Sequence, residues 1–359
     1  MYSPEETPAF PVRLAVKQSP PYPFNPISAP IKLDQNECPF DFPEELKAQV
    51  MERLSKVPWN RYPEVDALEV RKAIADYESW PVEGVVVTTG SNLMIRTLLQ
   101  LSGLGHRILT VKPSFPLYAL EAGLFECPLT ELALQDDLTV NPDELSKELK
   151  SGSGIVYLPQ PQVPTAHLEP DAHLNALAEH ANHRWMVVLD EAYHQFSGTD
   201  YRDWIKTRSN WVSVRTFSKA WGLASLRMGY ALCHPDLGME LQKVVMPFSC
   251  TPWQALTVKV ALEHPEYMDN QVRHVNAEKV RMFERLQHHP VWHFYPSQTN
   301  FFLFRTPNAE DAYRFLLERG ILVRRQDVLF GLEGCLRVTL GSRAENDAFL
   351  AAAFAVFPD

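Results

Sequence analysis

Short apolar runs alternate with helical patterns through the middle of the chain. The runs lie at residues 85–89, 107–111, 155–158, 186–189, 211–216 and 230–233. Several of them are almost wholly apolar, as expected of strands that are covered on both faces. Between two of these runs, Leu174, Leu177, Ala178 and Ala181 recur at the spacing of one helix face. The alternation predicts an α/β fold with a large, doubly wound and mostly parallel sheet.

The pattern is different ahead of this region. Residues 1–43 contain ten of the 29 prolines, which predicts an extended arm without helix. Leu46, Val50 and Leu54 then recur on one face and predict a helix over residues 43–57.

The pattern changes again after the last of the apolar runs. A long helical region over residues 252–288 precedes strand-like segments at residues 300–304, 321–323 and 336–340. This order predicts a smaller α+β domain. We therefore expect an arm at residues 1–42, a large domain at residues 43–245 and a small domain at residues 246–359.

Composition agrees with two globular domains, since the chain has 359 residues of which 45% are hydrophobic and 22% charged. The formal net charge of -10 argues against binding to nucleic acid or membrane surfaces, because both need basic faces. The five cysteines are scattered without a CxxC pair, which disfavours disulfide and zinc frameworks. The sequence shows neither a secretion signal nor an apolar run that could span a membrane, so we expect a cytoplasmic protein.

A lysine follows the apolar run at residues 211–216, in a segment rich in hydrogen-bonding groups. Thr216 and Ser218 precede or flank Lys219, and Arg227 lies eight residues beyond it. Arginine can bind a phosphate through two parallel N–H groups, and a lysine amine can condense with an aldehyde. A lone lysine after a strand is usually a solvated charge, and these neighbours make a pyridoxal phosphate (PLP) site an equal alternative.

Two further segments carry candidate ligand-binding groups. Asp190 ends a predicted strand, at the sheet edge where open α/β sheets bind ligands. It is a helix cap, a magnesium ligand or the partner of the PLP ring nitrogen, and in the last case Tyr193 donates to the phenolic oxygen of PLP. Ser91 and Asn92 follow Gly90 at the start of a predicted helix, where free backbone N–H groups can receive a phosphate.

In this order and spacing, these segments resemble the fold-type I PLP enzymes and, within them, the histidinol-phosphate aminotransferase family. The resemblance runs from Leu33 to the C-terminus, and its lysine and final arginine segments are the most specific. Its motifs lie at residues 33–37 (LDQNE), 61–64 (RYPE), 113–118 (PSFPLY), 190–193 (DEAY), 215–219 (RTFSK), 222–230 (GLASLRMGY) and 335–341 (CLRVTLG).

The resemblance implies a cofactor role for each matching residue. Lys219 is implied to carry PLP as a Schiff base and to act as the general base, with Asp190 on the ring nitrogen and Tyr193 on the phenolic oxygen. Tyr118 is implied to stack on the PLP ring. The phosphate of PLP is implied to be held by Ser91, Asn92, Thr216, Ser218 and Arg227.

The resemblance also implies a second subunit. In this family the tyrosine of the Arg-Tyr-Pro motif, here Tyr62, reaches the cofactor phosphate from the neighbouring subunit. We therefore expect a homodimer that acts on a small-molecule amino donor and a 2-oxo acid, with no nucleic-acid or membrane partner.

Substrate contacts are implied in the same way. Arg337 is implied to anchor the anionic end of the substrate, because its planar fork suits both phosphate and carboxylate. Arg324 is the second cation, although the adjacent Arg325 is an alternative. Tyr22 is implied to close over the substrate, and Asn36 is expected in the substrate site.

The chain departs from the family pattern ahead of the aspartate motif. The family has Pro-Asn-Asn-Pro-Thr-Gly where residues 161–166 read PQVPTA, so Val163 replaces an asparagine that donates to the phenolic oxygen of PLP. Loss of a charge-assisted hydrogen bond worth roughly 1.5–3 kcal/mol is expected to raise the pKa of the Schiff base on Lys219 by about one to two units. Either Gln160 or Gln162 could compensate, and the sequence leaves this open.

The activity that the resemblance implies is transamination of histidinol phosphate with 2-oxoglutarate, in histidine biosynthesis. Two other activities on the same scaffold stay open: an aminotransferase for aromatic or other amino acids, and a threonine-phosphate decarboxylase. A non-catalytic protein with this fold is disfavoured because Lys219, Asp190 and Arg227 are all present. The 12 histidines show no spacing typical of a metal site.

Overall fold

The computed structural model describes residues 11–22, 26–102 and 105–355. Parts of the predicted arm, at residues 1–10 and 23–25, and residues 356–359 of the predicted small domain therefore lie outside the described residues. Ahead of the main sheet the described chain forms α1 (Leu14–Gln18), β1 (Ile31–Lys32), α2 (Glu44–Ser55) and α3 (Leu68–Glu78).

Helix α1 shows that the expectation of an arm without helix was wrong. The helix lies between Pro11 and Pro20, in an interval that contains no proline. Because no proline ring blocks its backbone hydrogen bonds, this interval completes a short helix, with the N–H of Lys17 bonded to the C=O of Arg13. A high proline content therefore excludes a helix only where the prolines are closely spaced.

The middle of the chain alternates strands and helices as predicted. Its elements are β2 (Val85–Thr88), α4 (Ser91–Ser102), β3 (Arg107–Lys112), α5 (Leu117–Leu124), β4 (Leu129–Ala133), α6 (Pro142–Ser151), β5 (Gly154–Pro159), α7 (Asp171–His180), β6 (Trp185–Asp190), α8 (His194–Ser197), α9 (Arg202–Lys206), β7 (Trp211–Thr216), β8 (Gly229–Cys233) and α10 (Pro235–Gln242). Strand β4 was not predicted, because alternate side chains of this edge strand are half-buried or exposed and its sequence lacks an apolar run.

Seven of these strands form one sheet in the order β2-β8-β7-β6-β5-β3-β4. Strand β8 is antiparallel to both of its neighbours, and the other adjacent strands are parallel. Val86 packs in one hydrophobic core while Val85 and Val87 pack in another, because successive side chains of a strand face opposite sides. The two cores lie on the two faces of the sheet, which confirms the doubly wound α/β prediction.

The C-terminal part contains two long helices and a small antiparallel sheet. Its elements are α11 (Pro252–Glu263), α12 (Glu266–Leu286), β9 (His293–Phe294), β10 (Phe301–Arg305), α13 (Ala309–Glu318), β11 (Ile321–Leu322), β12 (Arg324–Arg325), β13 (Cys335–Thr339) and α14 (Arg343–Phe354). The helical region over residues 252–288 is divided at Pro265, which lacks the N–H that a continuous helix would need. Four strands form a sheet in the order β12-β13-β10-β9.

The end of the arm is tied to this C-terminal sheet. Strand β1 pairs in parallel with β11, and the N–H of Leu33 bonds to the C=O of Leu322. The N–H of Thr339, at the end of β13, bonds to the C=O of Leu33. These contacts fix residues 33–36 beside β13. The division at residues 43 and 246 stays a prediction.

None of the helices in the described ranges is both long and apolar enough to cross a membrane. The five cysteines are all described and all are free thiols.

Candidate active site

Lys219 lies just beyond β7, at the carboxyl-terminal edge of the main sheet. Its amine donates to the backbone carbonyl of Gln35 (2.9 Å) and lies 5.6 Å from the centre of the Tyr193 ring. Withdrawal of the amine from water, together with the positive charge of Arg337, lowers the pKa of Lys219 to about 7. A substantial fraction of this amine is therefore uncharged near neutral pH, as a nucleophile or a base requires.

Asp190 ends β6 and shares this edge of the sheet, paired with Pro159 on one side and Val214 on the other. Its carboxylate accepts hydrogen bonds from the Tyr118 hydroxyl (2.8 Å) and the Ala192 N–H (3.2 Å). Burial raises the pKa of Asp190, and these hydrogen bonds oppose the rise. Among the described residues no cationic side chain forms an ion pair with this buried carboxylate, so a cation placed beside it would be favoured.

Tyr118 is held by two groups of the core. Its hydroxyl is the donor to Asp190, and its ring stacks on Tyr157 with 4.8 Å between centroids. The predicted contact of Tyr118 with the face of a PLP ring stays a prediction. Phe115, which sequence reasoning assigned no role, lies 5.7 Å away between ring centroids and is only half-buried.

Tyr193 and Asn36 form a buried pair next to Lys219. The side-chain amide of Asn36 donates to the Tyr193 hydroxyl (2.9 Å). Burial raises the pKa of Tyr193, while the positive charge of Arg337 and the Asn36 hydrogen bond lower it. Asn36 thus lies against a predicted cofactor ligand rather than only in a substrate pocket.

Three hydrogen-bonding side chains predicted to hold a phosphate come together at the edge of the sheet. The Thr216 hydroxyl bonds to the Ser218 hydroxyl (3.0 Å), and Arg227 donates to the same Ser218 hydroxyl (3.3 Å). Ser91 begins α4, whose first N–H groups point away from the helix.

Glycine lets Arg227 approach this helix start. A Cβ on Gly90 would lie 2.6 Å from a guanidinium nitrogen of Arg227, and Gly90 has a φ of +83°. A larger residue would therefore both clash and be strained. Helix N–H groups, hydroxyls and a guanidinium form a cradle suited to an anion.

The arginines of the small sheet separate into two environments. Arg324 pairs with Arg337 in the β12–β13 register, so the two side chains share one face. Arg325 faces the other way and forms ion pairs with Glu310 and Asp327. The geometry therefore favours Arg324 over Arg325 as the companion of Arg337.

Arg337 itself is partly buried, and the described residues satisfy only part of its hydrogen-bonding capacity. One of its terminal nitrogens donates to the backbone carbonyl of Asp34 (2.8 Å), and the guanidinium lies 5.1 Å from the centre of the Phe301 ring. Its Nε has no hydrogen-bond partner among the described residues. Burial and the charge of Arg324 lower the pKa of Arg337, which an anionic ligand would counteract.

The two remaining predicted residues lie at the surface. Tyr62 is 84% exposed and packs against Phe248, with 5.0 Å between ring centroids. Tyr22 is 46% exposed, and its hydroxyl is near enough to influence the pKa of Arg337. The structure therefore does not bring Tyr62 to the Lys219 pocket within one chain.

Sequence reasoning missed contacts made by backbone atoms and by charges on the opposite side of β7. The carbonyl of Gln35 that holds Lys219 left no signal, because any residue type has a carbonyl. Arg215, which alternates with Thr216 along β7, forms ion pairs with Glu78 (2.9 Å), Glu191 (3.2 Å) and Asp200 (2.9 Å). Arg215, Glu78 and Glu191 are buried and Asp200 is exposed, and these four residues form the ion cluster.

The residues around Lys219 fit PLP. Three residues that contact the site have a buried polar atom without a hydrogen-bond partner among the described residues: Gln160 Nε2, Asn300 Oδ1 and Arg337 Nε. Buried polar groups are normally satisfied, so such a concentration indicates a place for a polar ligand. An uncharged amine, a buried carboxylate and an anion cradle match the aldehyde, the ring nitrogen and the phosphate of PLP.

Comparisons with known proteins agree with this geometry. The family model described as aminotransferase class I and II matches residues 28–352. The histidinol-phosphate aminotransferase of Deinococcus radiodurans is 46% identical, and the match covers 96% of each chain. That of Thermococcus kodakarensis is 38% identical over 95% of this chain and 97% of the relative.

Solved structures show the same fold. The histidinol-phosphate aminotransferase of Sinorhizobium meliloti, solved in complex with pyridoxal-5'-phosphate, superposes with a TM-score of 0.82. The match covers 92% of this chain and 91% of that one, at 21% identity, and therefore supports the fold alone.

Proposed function

We propose that this chain, which belongs to the aminotransferase class I and II family and within it to the histidinol-phosphate aminotransferases, transfers the amino group of histidinol phosphate to 2-oxoglutarate. The chain is a PLP-dependent aminotransferase. The observation that carries the substrate proposal is the pairing of Arg337 with Arg324 on one face of the small sheet, beside Lys219. Two guanidinium groups suit a doubly charged phosphate monoester.

Each residue of the pocket has a role in this proposal. PLP, when bound, supplies an electron sink for negative charge at the substrate Cα. Lys219 would hold the cofactor aldehyde and, as a freed amine, would take the proton from the substrate Cα and deliver it to C4′ of the cofactor. Asp190 keeps the ring nitrogen protonated, and Tyr118 holds that carboxylate in place.

The remaining pocket residues bind and orient. Tyr193 donates to the phenolic oxygen, and an aromatic side chain, Tyr118 or Phe115, covers one face of the ring. The cofactor phosphate is bound by Thr216, Ser218, Arg227 and the first N–H groups of α4, at Ser91 and Asn92. On the substrate side, Asn36 and Tyr22 complete the pocket around Arg337.

Arg337 serves both half-reactions in this proposal. It binds the phosphate of histidinol phosphate in the first half-reaction and a carboxylate of 2-oxoglutarate in the second. A planar guanidinium can bind both anions through two parallel N–H groups, which an ammonium group cannot do.

The exposed surface around Tyr62 supports a homodimer. Trp59, Tyr62 and Met246 are 83%, 84% and 71% exposed, and Phe248 joins the group through its ring contact with Tyr62. Such a cluster of large exposed apolar side chains is typical of a protein interface. In the proposed dimer, Tyr62 of each subunit reaches the cofactor phosphate of the other.

Mixing two inactive variants tests the shared site. Lys219→Ala and Tyr62→Ala subunits are unfolded, combined and refolded, so that hybrid dimers contain one intact site. Activity above that of either parent supports the shared site. Activity no higher than that of the parents contradicts it.

A half-reaction screen tests the substrate assignment. The PLP-loaded enzyme is mixed with histidinol phosphate, phenylalanine, glutamate or threonine phosphate, and loss of the cofactor's visible absorbance is followed. Histidinol phosphate and glutamate should react fastest. Failure of histidinol phosphate alone would overturn the substrate assignment and leave the family assignment standing.

The two rival activities have distinct outcomes in the same screen. A threonine-phosphate decarboxylase releases CO₂ from threonine phosphate and needs no 2-oxo acid. An aromatic aminotransferase reacts faster with phenylalanine than with histidinol phosphate.

A cytoplasmic location stays a prediction and is tested by fractionating cells that express a tagged chain.

A further inference from the structure

Three consecutive residues of the arm each contact one functional side chain. The carbonyl oxygens of the first two residues of the segment 34–36 accept hydrogen bonds from Arg337 (2.8 Å) and Lys219 (2.9 Å). The side chain of the third donates to the Tyr193 hydroxyl (2.9 Å). This segment therefore connects the substrate anchor, the cofactor lysine and the phenolic donor.

The third residue, Asn36, has a fixed side-chain orientation. Its backbone N–H donates to the Thr339 hydroxyl (2.9 Å), and that hydroxyl donates its own proton to Asn36 Oδ1 (3.2 Å). With Oδ1 accepting from Thr339, the amide must present its Nδ2 hydrogens to Tyr193. The direction of the hydrogen bond is therefore set by the threonine.

The direction of this hydrogen bond decides where the tyrosine proton points. The Tyr193 oxygen accepts from Asn36, so its own proton is not used in that contact. Among the described residues, no group accepts a hydrogen bond from the Tyr193 hydroxyl. The proton is therefore available to a ligand in the pocket.

Tyr193 lacks the side-chain donor that the family pattern has at residue 163. Val163 is buried in the same hydrophobic core as Tyr193, and its side chain can donate no hydrogen bond. Gln162 is fully buried, and its side-chain amide has no hydrogen-bond partner among the described residues. Neither side chain hydrogen-bonds to the Tyr193 hydroxyl, so among the described residues Asn36 is the side chain that orients it.

We propose that Asn36 is a positioning residue that aims the Tyr193 proton at the phenolic oxygen of PLP, and that this arrangement offsets the missing donor at Val163. The inference rests on the proposed function, because it requires PLP on Lys219. It adds a second role to the one expected of Asn36 in the substrate site, since its amide is engaged with Tyr193.

The backbone at Asn36 limits the substitutions that can test this proposal. Asn36 is 1% exposed and has a φ of +54°, a left-handed conformation that asparagine, aspartate and glycine tolerate. Its carbonyl also accepts from Asn300 (3.1 Å), a contact that any residue type preserves. Asn36→Asp and Asn36→Gly are therefore the suitable variants.

The two variants change the hydrogen bond in different ways. In Asn36→Asp a carboxylate oxygen replaces the N–H group, so Tyr193 must turn its proton toward residue 36 and away from PLP. In Asn36→Gly the amide is removed and the tyrosine proton is free to rotate. The charged groups around Tyr193 are Asp190 from β6, Lys219 after β7 and Arg337 in β13, and neither variant removes them.

The measurement is the pH midpoint at which the visible absorbance of the PLP-loaded protein changes. Asn36→Asp should raise this midpoint by about one pH unit or more, and Asn36→Gly by about half a unit, since a charge-assisted hydrogen bond is weakened. Adding Val163→Asn to Asn36→Gly should lower the midpoint again. Asn308→Asp, at an exposed helix cap, is the matched control and should leave the midpoint unchanged.

A second variant keeps the proposal testable if Asn36→Asp does not fold. Thr339→Val preserves the shape of the threonine and removes the hydroxyl that orients the amide, so the midpoint should rise by a few tenths of a unit. Midpoints equal to that of the unmodified protein in every folded variant would overturn this inference and leave the proposed function intact. An unmodified protein that shows no Lys219-dependent PLP absorbance would overturn both.

Discussion

The charged groups on the two sides of the strand pair β6–β7 differ in their partners: those on one side form ion pairs, and those on the other bond to neutral groups. On one side, Arg215 is bonded to the three carboxylates of the ion cluster. On the other, within the part of the chain that the structure describes, Lys219 donates to a backbone carbonyl and Asp190 accepts from neutral donors. Adjacent residues, such as Asp190 at the end of β6 and Glu191 just beyond it, therefore belong to different kinds of site.

The difference shows in the pKa values of the two cations. Although burial opposes it, the carboxylates of the cluster raise the pKa of Arg215 well above its ordinary value. Burial and Arg337 instead lower the pKa of Lys219 to about 7. The charges of the ion cluster are balanced within the protein, whereas Lys219 and Asp190 form no ion pair with the described residues and suit a bound ligand.

Removal of the lysine amine should have the largest effect. Lys219→Ala is expected to lower kcat for transamination by at least about 10³-fold, because it removes the general base and the group that binds the cofactor aldehyde. The free energy of unfolding of the cofactor-free protein should not fall, because an amine with a lowered pKa is buried at a cost. Steady-state kinetics and urea unfolding check the two parts.

Loss of a charge from the ion cluster should instead lower the stability of the protein. Arg215→Met is expected to lower the free energy of unfolding by about 3–5 kcal/mol, because it leaves buried carboxylates without their partner. Lys56→Met, which removes an exposed pair with Glu52, should change it by less than about 1 kcal/mol. Urea unfolding of all three proteins is the measurement, and equal losses in the two variants would contradict the contrast.

The two arginine environments of the small sheet sharpen the comparison. Arg337→Lys is expected to lower kcat/KM for histidinol phosphate by roughly 10- to 100-fold, because the two-pronged bond to an anion is lost. Arg325→Lys should change it less than about twofold, since Arg325 already pairs with Glu310 and Asp327. A loss of kcat/KM in Arg325→Lys that clearly exceeds about twofold would contradict the choice of Arg324 over Arg325 as the second cation.

The smallest expected effect is a pH dependence of cofactor capture. Only the uncharged amine attacks an aldehyde, and the pKa of Lys219 is about 7. The rate at which the cofactor-free protein takes up PLP should therefore rise roughly tenfold between about pH 6 and about pH 8 and then level off. Stopped-flow absorbance follows the uptake, and a rate that keeps rising tenfold per pH unit above that range would indicate an unshifted lysine.

The sequence was sufficient for most of the fold because buried strands are distinct in composition. The run at residues 211–216 matches β7, while β4, an edge strand with alternating exposure, was missed. The break at Pro265 and the helix α1 depended on the positions of individual prolines within longer segments. Strand patterns thus predict elements better than their boundaries.

The site was predictable only where side-chain type carries the chemistry. Lys219 and Asp190 stand out because an amine and a carboxylate follow apolar strands. The bond from Lys219 to the Gln35 carbonyl could not be predicted, since it depends on how the arm is paired with β11. The choice between Arg324 and Arg325 likewise needed the strand register.

Mapping of the cofactor-bearing lysine tests the central claim most directly. The protein is loaded with PLP and reduced with borohydride, which converts the C=N bond into a stable amine, and the modified peptide is identified by mass spectrometry. We predict that the label lies on Lys219. The informative competitor is Lys279, a largely buried lysine whose pKa burial lowers to about 8 and whose amine bonds to two backbone carbonyls. A label on Lys279, or on any lysine other than Lys219, would contradict the account.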